Sequence, residues 1–94
     1  MDYGLRLDKD DAGRITLTGW TESEASNTTD HWPVYTLCHD RAQLPDRLDE
    51  LGLDLAPGAD INDLDKAWDV YVQHPNIAAL RAQLDRERDQ ERTR

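Results

Sequence analysis

The sequence predicts an α+β fold: an N-terminal antiparallel β-hairpin, extended to three strands if an ambiguous segment is counted, packed against two main C-terminal helices and one short helix. Three observations predict it. Apolar side chains alternate with period two on both sides of the turn-rich Asp10-Asp11-Ala12-Gly13. After residue 60 they recur at helical spacing, and Pro45, Gly52, Pro57, Gly58 and Pro75 punctuate the chain between those patterns.

In the first strand, about residues 3–8, Tyr3, Leu5 and Leu7 alternate with Gly4 and Arg6. In the second, about 14–20, Ile15 and Leu17 alternate with Thr16 and Thr18, and Trp20 closes the run. Residues 21–30 hold no large apolar side chain and read as a loop, long for a compact domain. Segment 31–42 is ambiguous: Val34, Tyr35, Thr36 and Leu37 favour a strand, while Trp32, Tyr35, Cys38 and Ala42 recur at helical spacing. The strand is the preferred reading.

Pro45 opens a short helix that ends near Gly52, with Leu44, Leu48 and Leu51 inward. Asp60 or Asn62 caps a helix over 61–74, whose apolar face is Ile61, Leu64, Ala67, Trp68, Tyr71 and Val72. Pro75 then occupies the first turn of a last helix with Ile77, Leu80 and Leu84 as its stripe. That stripe gives way to Glu87, Arg88 and Glu91, where Arg81–Asp85, Asp85–Arg88 and Asp89–Arg92 have the spacing of helical ion pairs. The expected organisation is one domain over 1–86 and a frayed, charged helix end over 87–94.

Charge narrows the function. The 94 residues carry a formal net charge of −9, and apolar residues make up 37%, below the roughly 45–50% of ordinary globular domains. Such a surface repels nucleic acid and anionic lipid, so direct binding to either is not expected. The densest stretch, 46–69, has eight acids against Arg47 and Lys66 alone. The acids are mostly Asp and the bases mostly Arg, a bias that a GC-rich genome or a salt-loving host also produces. No apolar run reaches the length of a membrane span and no signal pattern opens the chain, so a cytoplasmic setting is expected.

Motifs for chemistry are weak. Asp8, Asp10, Gly13 and Ile15 stand where an EF-hand calcium loop has its first, third, sixth and eighth residues, but Ala12 fills the fifth and Gly19 the twelfth. Cys38 is the sole cysteine; His39 beside it would point to the opposite strand face, and His31 and His74 are distant. There is no paired-ligand zinc spacing and no phosphate-binding glycine loop. We therefore expect no catalytic residues, no metal and no cofactor.

The expected function is a non-catalytic, acidic protein-binding module whose partner is a basic protein or nucleoprotein complex. Its narrowest form is a phage or mobile-element inhibitor, of anti-CRISPR or antirestriction type, occupying a nucleic-acid-binding surface. The expected contact residues are Asp46, Asp49, Glu50, Asp54, Asp63, Asp65 and Asp69, with Asp65 and Asp69 stacked one helical turn apart, and Trp32 as an anchor if exposed. The alternative is an antitoxin or adaptor subunit docking through its charged C-terminal helix.

Overall fold

The computed structural model describes residues 3–23, 25–66 and 69–92. The α+β class is as expected, but the sheet has six strands where two or three were predicted. Strands β1 (Tyr3–Lys9) and β2 (Ile15–Ser23) form the hairpin, in register from Tyr3–Thr21 to Lys9–Ile15. Asp10 organises its turn. The Asp10 carboxylate accepts from the backbone N–H of Ala12 at 3.0 Å and of Arg14 at 2.8 Å, and from Arg14 Nε at 2.8 Å.

The polar segment 21–30 is not the expected loop. β2 continues through it and folds back into β3 (Thr28–His31), with Asn27 at φ 50° making the reversal. All four β3 residues are exposed, so no apolar burial holds the strand and hydropathy carries no trace of it. Pro33, lacking an N–H, interrupts the ladder, which resumes as β4 (Tyr35–Cys38). β3 and β4 thus run end to end along one side of β2, and the strand reading of 31–42 holds for its Tyr35–Cys38 part.

Asp40 caps a 3-10 turn (Arg41–Gln43) that leads into α1 (Leu44–Leu51). Gly52 ends α1 in the left-handed region at φ 71°, and the Leu53 N–H returns 2.9 Å to the Leu48 carbonyl, as the predicted glycine stop requires. Leu44, Leu48 and Leu51 are buried.

The helix expected over 61–74 does not form. Asp60 caps a 3-10 turn (Ile61–Lys66), and the chain then enters β6 (Val70–Gln73). β6 pairs with β1 on one side, Leu5 opposite Val72 and Leu7 opposite Val70, and with β5 (Asp54–Leu55) on the other. Val70 and Val72 suit a pleated strand better than a helix, and β1 supplies the partner that the local pattern could not reveal. Tyr71, expected in the core, alternates outward and is 59% exposed. The core position expected for Trp68 lies outside the described residues.

The last helix, α2 (Ile77–Arg92), starts after Pro75, not on it: Asn76 Oδ1 accepts from the Ala79 N–H at 3.1 Å and caps the helix. His74 prepares this junction. Its Nδ1 accepts from the Asn76 N–H at 2.9 Å, so Nε2 carries the proton that reaches the Leu51 carbonyl at 2.9 Å. α2 remains helical to Arg92.

All helices pack on one face of the sheet. Leu5, Leu7, Ile15, Leu17, Val70 and Val72 meet Leu44, Leu64, Leu80 and Leu84 in a single core. Trp32 belongs to this core at 6% exposure, so the condition for an interface anchor is not met. Its ring stands edge-on to Tyr35, with the Arg81 guanidinium 5.5 Å from its centroid. Arg81 also bonds Asp30 at 2.6 Å, and Tyr35 Oη donates to Asp85, so these α2 charges bind strands instead of pairing along the helix. Gly19 makes the close packing possible, because a Cβ there would lie 2.9 Å from the Gly4 carbonyl oxygen and 2.8 Å from Leu5 Cδ2.

Leu80→Ala should lower stability by about 2–5 kcal/mol, and Gly19→Ala by about 1–3 kcal/mol, in urea unfolding. A loss below about 1 kcal/mol at both sites would mean that this core does not govern the fold.

Candidate functional site

The expected acidic residues separate into two groups. Asp46 and Asp49 on α1 and Asp54 on β5 are exposed and have no ion-pair partner among the described residues. The others are engaged. Glu50 pairs with Arg47 at 3.0 Å, Asp63 with Lys66 at 3.8 Å, Asp65 with Arg41 at 3.1 Å and Asp69 with Arg6 at 3.2 Å. Asp65 and Asp69 do not stack one turn apart, because the 3-10 turn ends at Lys66 and Asp69 directly precedes a strand. The structure therefore divides the expected face: α1 and β5 keep free carboxylates, while Asp65 and Asp69 anchor arginines of other elements.

Beside α1 lies a feature that the sequence reading missed. A groove of about 710 Å³ runs between β4, α1 and α2. Every residue from Val34 to His39 borders it, whichever face its side chain takes. That is expected where a strand presents its backbone edge, and among the described residues β4 pairs with β2 alone. The walls bring Asp46 and Glu50 from α1 and Leu84, Glu87 and Arg88 from α2. The one clue in the sequence was Pro33, since proline within a strand segment marks a sheet edge.

Arg47 joins the three walls. Its Nε donates 2.8 Å to the Leu37 carbonyl of β4, Nη1 reaches Glu50 on its own helix, and Nη2 meets Glu87 of α2 at 2.5 Å. Burial opposes its charge, but Glu87 and then Glu50 hold the guanidinium protonated. The side chain is only 15% exposed. Glu87, placed by sequence at the start of a frayed end, is thus tied to the body of the domain.

On the uncovered face of the sheet, Arg6 bridges Asp8 at 3.3 Å and Asp69 at 3.2 Å. Partial burial and a hydrogen bond shared with Asp69 push the Asp8 carboxyl above its ordinary value, against the pull of Arg6. Between the ordinary and the raised value the folded chain holds more protons than the unfolded one, so the Asp8 contribution to stability falls as pH rises through that window.

Three of the residues weighed for chemistry, Cys38, His74 and Asp10, are buried or already bonded. Burial pushes the Cys38 thiol up, and the Asp40 N–H and Arg47 offset this only in part. Both ring nitrogens of His74 bond backbone groups. Asp10 is consumed by its turn: slight desolvation opposes its ionisation, but the Arg14 and Ala12 hydrogen bonds hold its carboxyl below the ordinary range. Among the described residues no group of three or more His, Cys, Asp or Glu could hold a metal ion. No helix among them is long and apolar enough to cross a membrane.

Comparison with known protein families, with curated proteins and with solved structures finds no match.

Two measurements check this geometry. Arg47→Met should lower stability by about 1–3 kcal/mol, because Glu87 and the Leu37 carbonyl lose a charged donor, although Glu50 stays well hydrated. An unchanged urea midpoint would show that Arg47 joins nothing. Asp69→Asn should move the Asp8 carboxyl titration, followed by carbon NMR, down towards its ordinary value. A stationary Asp8 titration would exclude the Asp69 contribution.

Proposed function

We propose that this chain is a non-catalytic module that docks on a basic protein or nucleoprotein surface through the acidic side formed by α1 and β5. The observation that carries the reading is the uneven use of charge. Arg41, Arg47 and Lys66 are each held by a carboxylate, whereas Asp46, Asp49 and Asp54 face water unneutralised. A cationic partner meets carboxylates here without having to displace resident arginines. Such exposed charges chiefly steer encounter and set orientation. A partner whose basic surface normally holds nucleic acid would be blocked by this docking, which is how an inhibitor of anti-CRISPR or antirestriction type would act. The buried, unactivated Cys38 and the backbone-bound His74 support a non-catalytic role.

A second reading, an antitoxin or adaptor subunit docking through α2, draws on one observation. α2 continues to Arg92, about two turns beyond Leu84, the last residue of its buried stripe among those whose side chains are described.

Capture of the partner from host lysate, followed by affinity measurement, distinguishes the two. On the first reading, affinity falls steeply between about 50 and about 500 mM salt as the Debye length shrinks. Asp46→Lys, Asp49→Lys and Asp54→Lys combined should weaken binding at least tenfold, about 1.4 kcal/mol, mainly through slower association, with the fold unchanged. Normal binding by this variant at low salt would end the acidic-surface reading. Loss of binding on removal of residues 88–94 instead would favour α2.

A further inference from the structure

The groove beside β4 is built for an occupant that is itself a strand. β4 has β2 along one side only, and no other strand among the described residues takes its second side. Unpaired edges invite strand addition, and proteins usually protect them with charge, proline or a covering element. Here Pro33 stops the ladder at one end and the pairing with β2 shifts register between Ile15 and Thr16, yet Tyr35–Cys38 is a strand again with the groove open alongside. Arg47 Nε holds the Leu37 carbonyl at 2.8 Å, so an incoming strand takes that acceptor only by displacing the guanidinium.

We infer that this groove binds an extended segment of the basic partner by adding it as a strand to the β4 edge, between α1 and α2. The inference rests on the acidic docking reading above and assigns it a second, directional contact. Charge selects the occupant. Of the groove's charged groups, the acids Asp46, Glu50 and Glu87 outnumber Arg47 and Arg88; Glu50 and Glu87 hold Arg47, and Asp46 is in no ion pair among the described residues. Exposed Asp49 continues the acidic wall outside the groove. An extended segment with lysine or arginine at alternate positions presents one row of cations to the helix-covered side, where Asp46 stands, while its other row points to the uncovered face of the sheet. Strand addition of this kind takes its affinity from main-chain hydrogen bonds and its selectivity from alternate side chains.

The test uses the full chain labelled with nitrogen-15 and two synthetic probes. One is a short peptide of alternating lysine and valine; the other is identical but N-methylated at alternate residues, so that it keeps its charge and loses its backbone donors. The expected result is a change in the amide signals of Tyr35–His39 with the first peptide, slowed hydrogen exchange there, and affinity at least tenfold lower for the methylated form. Equal binding of the two peptides, or shifts confined to Asp46, Asp49 and Asp54, would overturn strand addition while leaving the acidic docking reading intact. Absence of binding by both at low salt would overturn the proposed occupant. Concentration-dependent shifts of the same amides without peptide would assign the groove to a second copy of this chain, and would equally overturn it.

Discussion

The pairing of β1 with β6 is the constraint on which the rest of this structure depends. Leu5 against Val72 and Leu7 against Val70 bring together residues more than 60 positions apart and make one sheet of what would otherwise be a meander and an isolated two-strand ladder. A two-stranded ribbon has little independent stability in water. Once β6 is seated, the inward faces of β1, β2, β4 and β6 form the floor on which Leu44, Leu64, Leu80 and Leu84 are buried. The positions of α1 and α2, and so of the groove between them, follow from that floor.

On this frame arginine is a structural residue more than a surface one. Arg81 joins α2 to β3 and Trp32, Arg47 joins α1 to β4 and α2, Arg41 reaches the 3-10 turn, and Arg6 reaches the entry to β6. Each connects elements distant in sequence, and each takes carboxylates with it. Because acids outnumber bases 20 to 11, these ties leave a surplus of carboxylates facing water. The functional reading depends on where that surplus gathers, not on the total charge.

What could be read from the sequence was what local chemistry encodes. Asp10 to Gly13 marked the first turn, Pro45 and Gly52 bracketed α1, and the alternation of Leu5, Leu7, Ile15 and Leu17 identified the inward face. What escaped depended on partners far away. Leu64, Tyr71 and Val72 fit a helical period by coincidence, and only the open side of β1 decides that Val70–Gln73 is a strand. β3 has no apolar side chain to announce it, and its ladder is made by the backbone of β2. The candidate site was legible in part for the same reason. Exposure of Asp46, Asp49 and Asp54 follows from their places on local elements, whereas the engagement of Asp65 and Asp69 depends on Arg41 and Arg6. The β4 groove has no local signature beyond Pro33, because it is a space between three elements.

The central place of β1 also sets an order of events during synthesis. β1 and β2 emerge before β6 and can close their hairpin at once, but the second side of β1 has no partner until Val70–Gln73 has been made. Contacts so far apart in sequence form late, since closure of the long intervening loop comes before any gain from pairing. Until then a nascent chain carries an open central strand and an uncovered face of Leu5, Leu7, Ile15 and Leu17, the combination through which strands of different chains associate. Chains that stall or are cut before residue 70 are therefore the species of this protein most prone to aggregate, and the last quarter of the sequence is what protects the first.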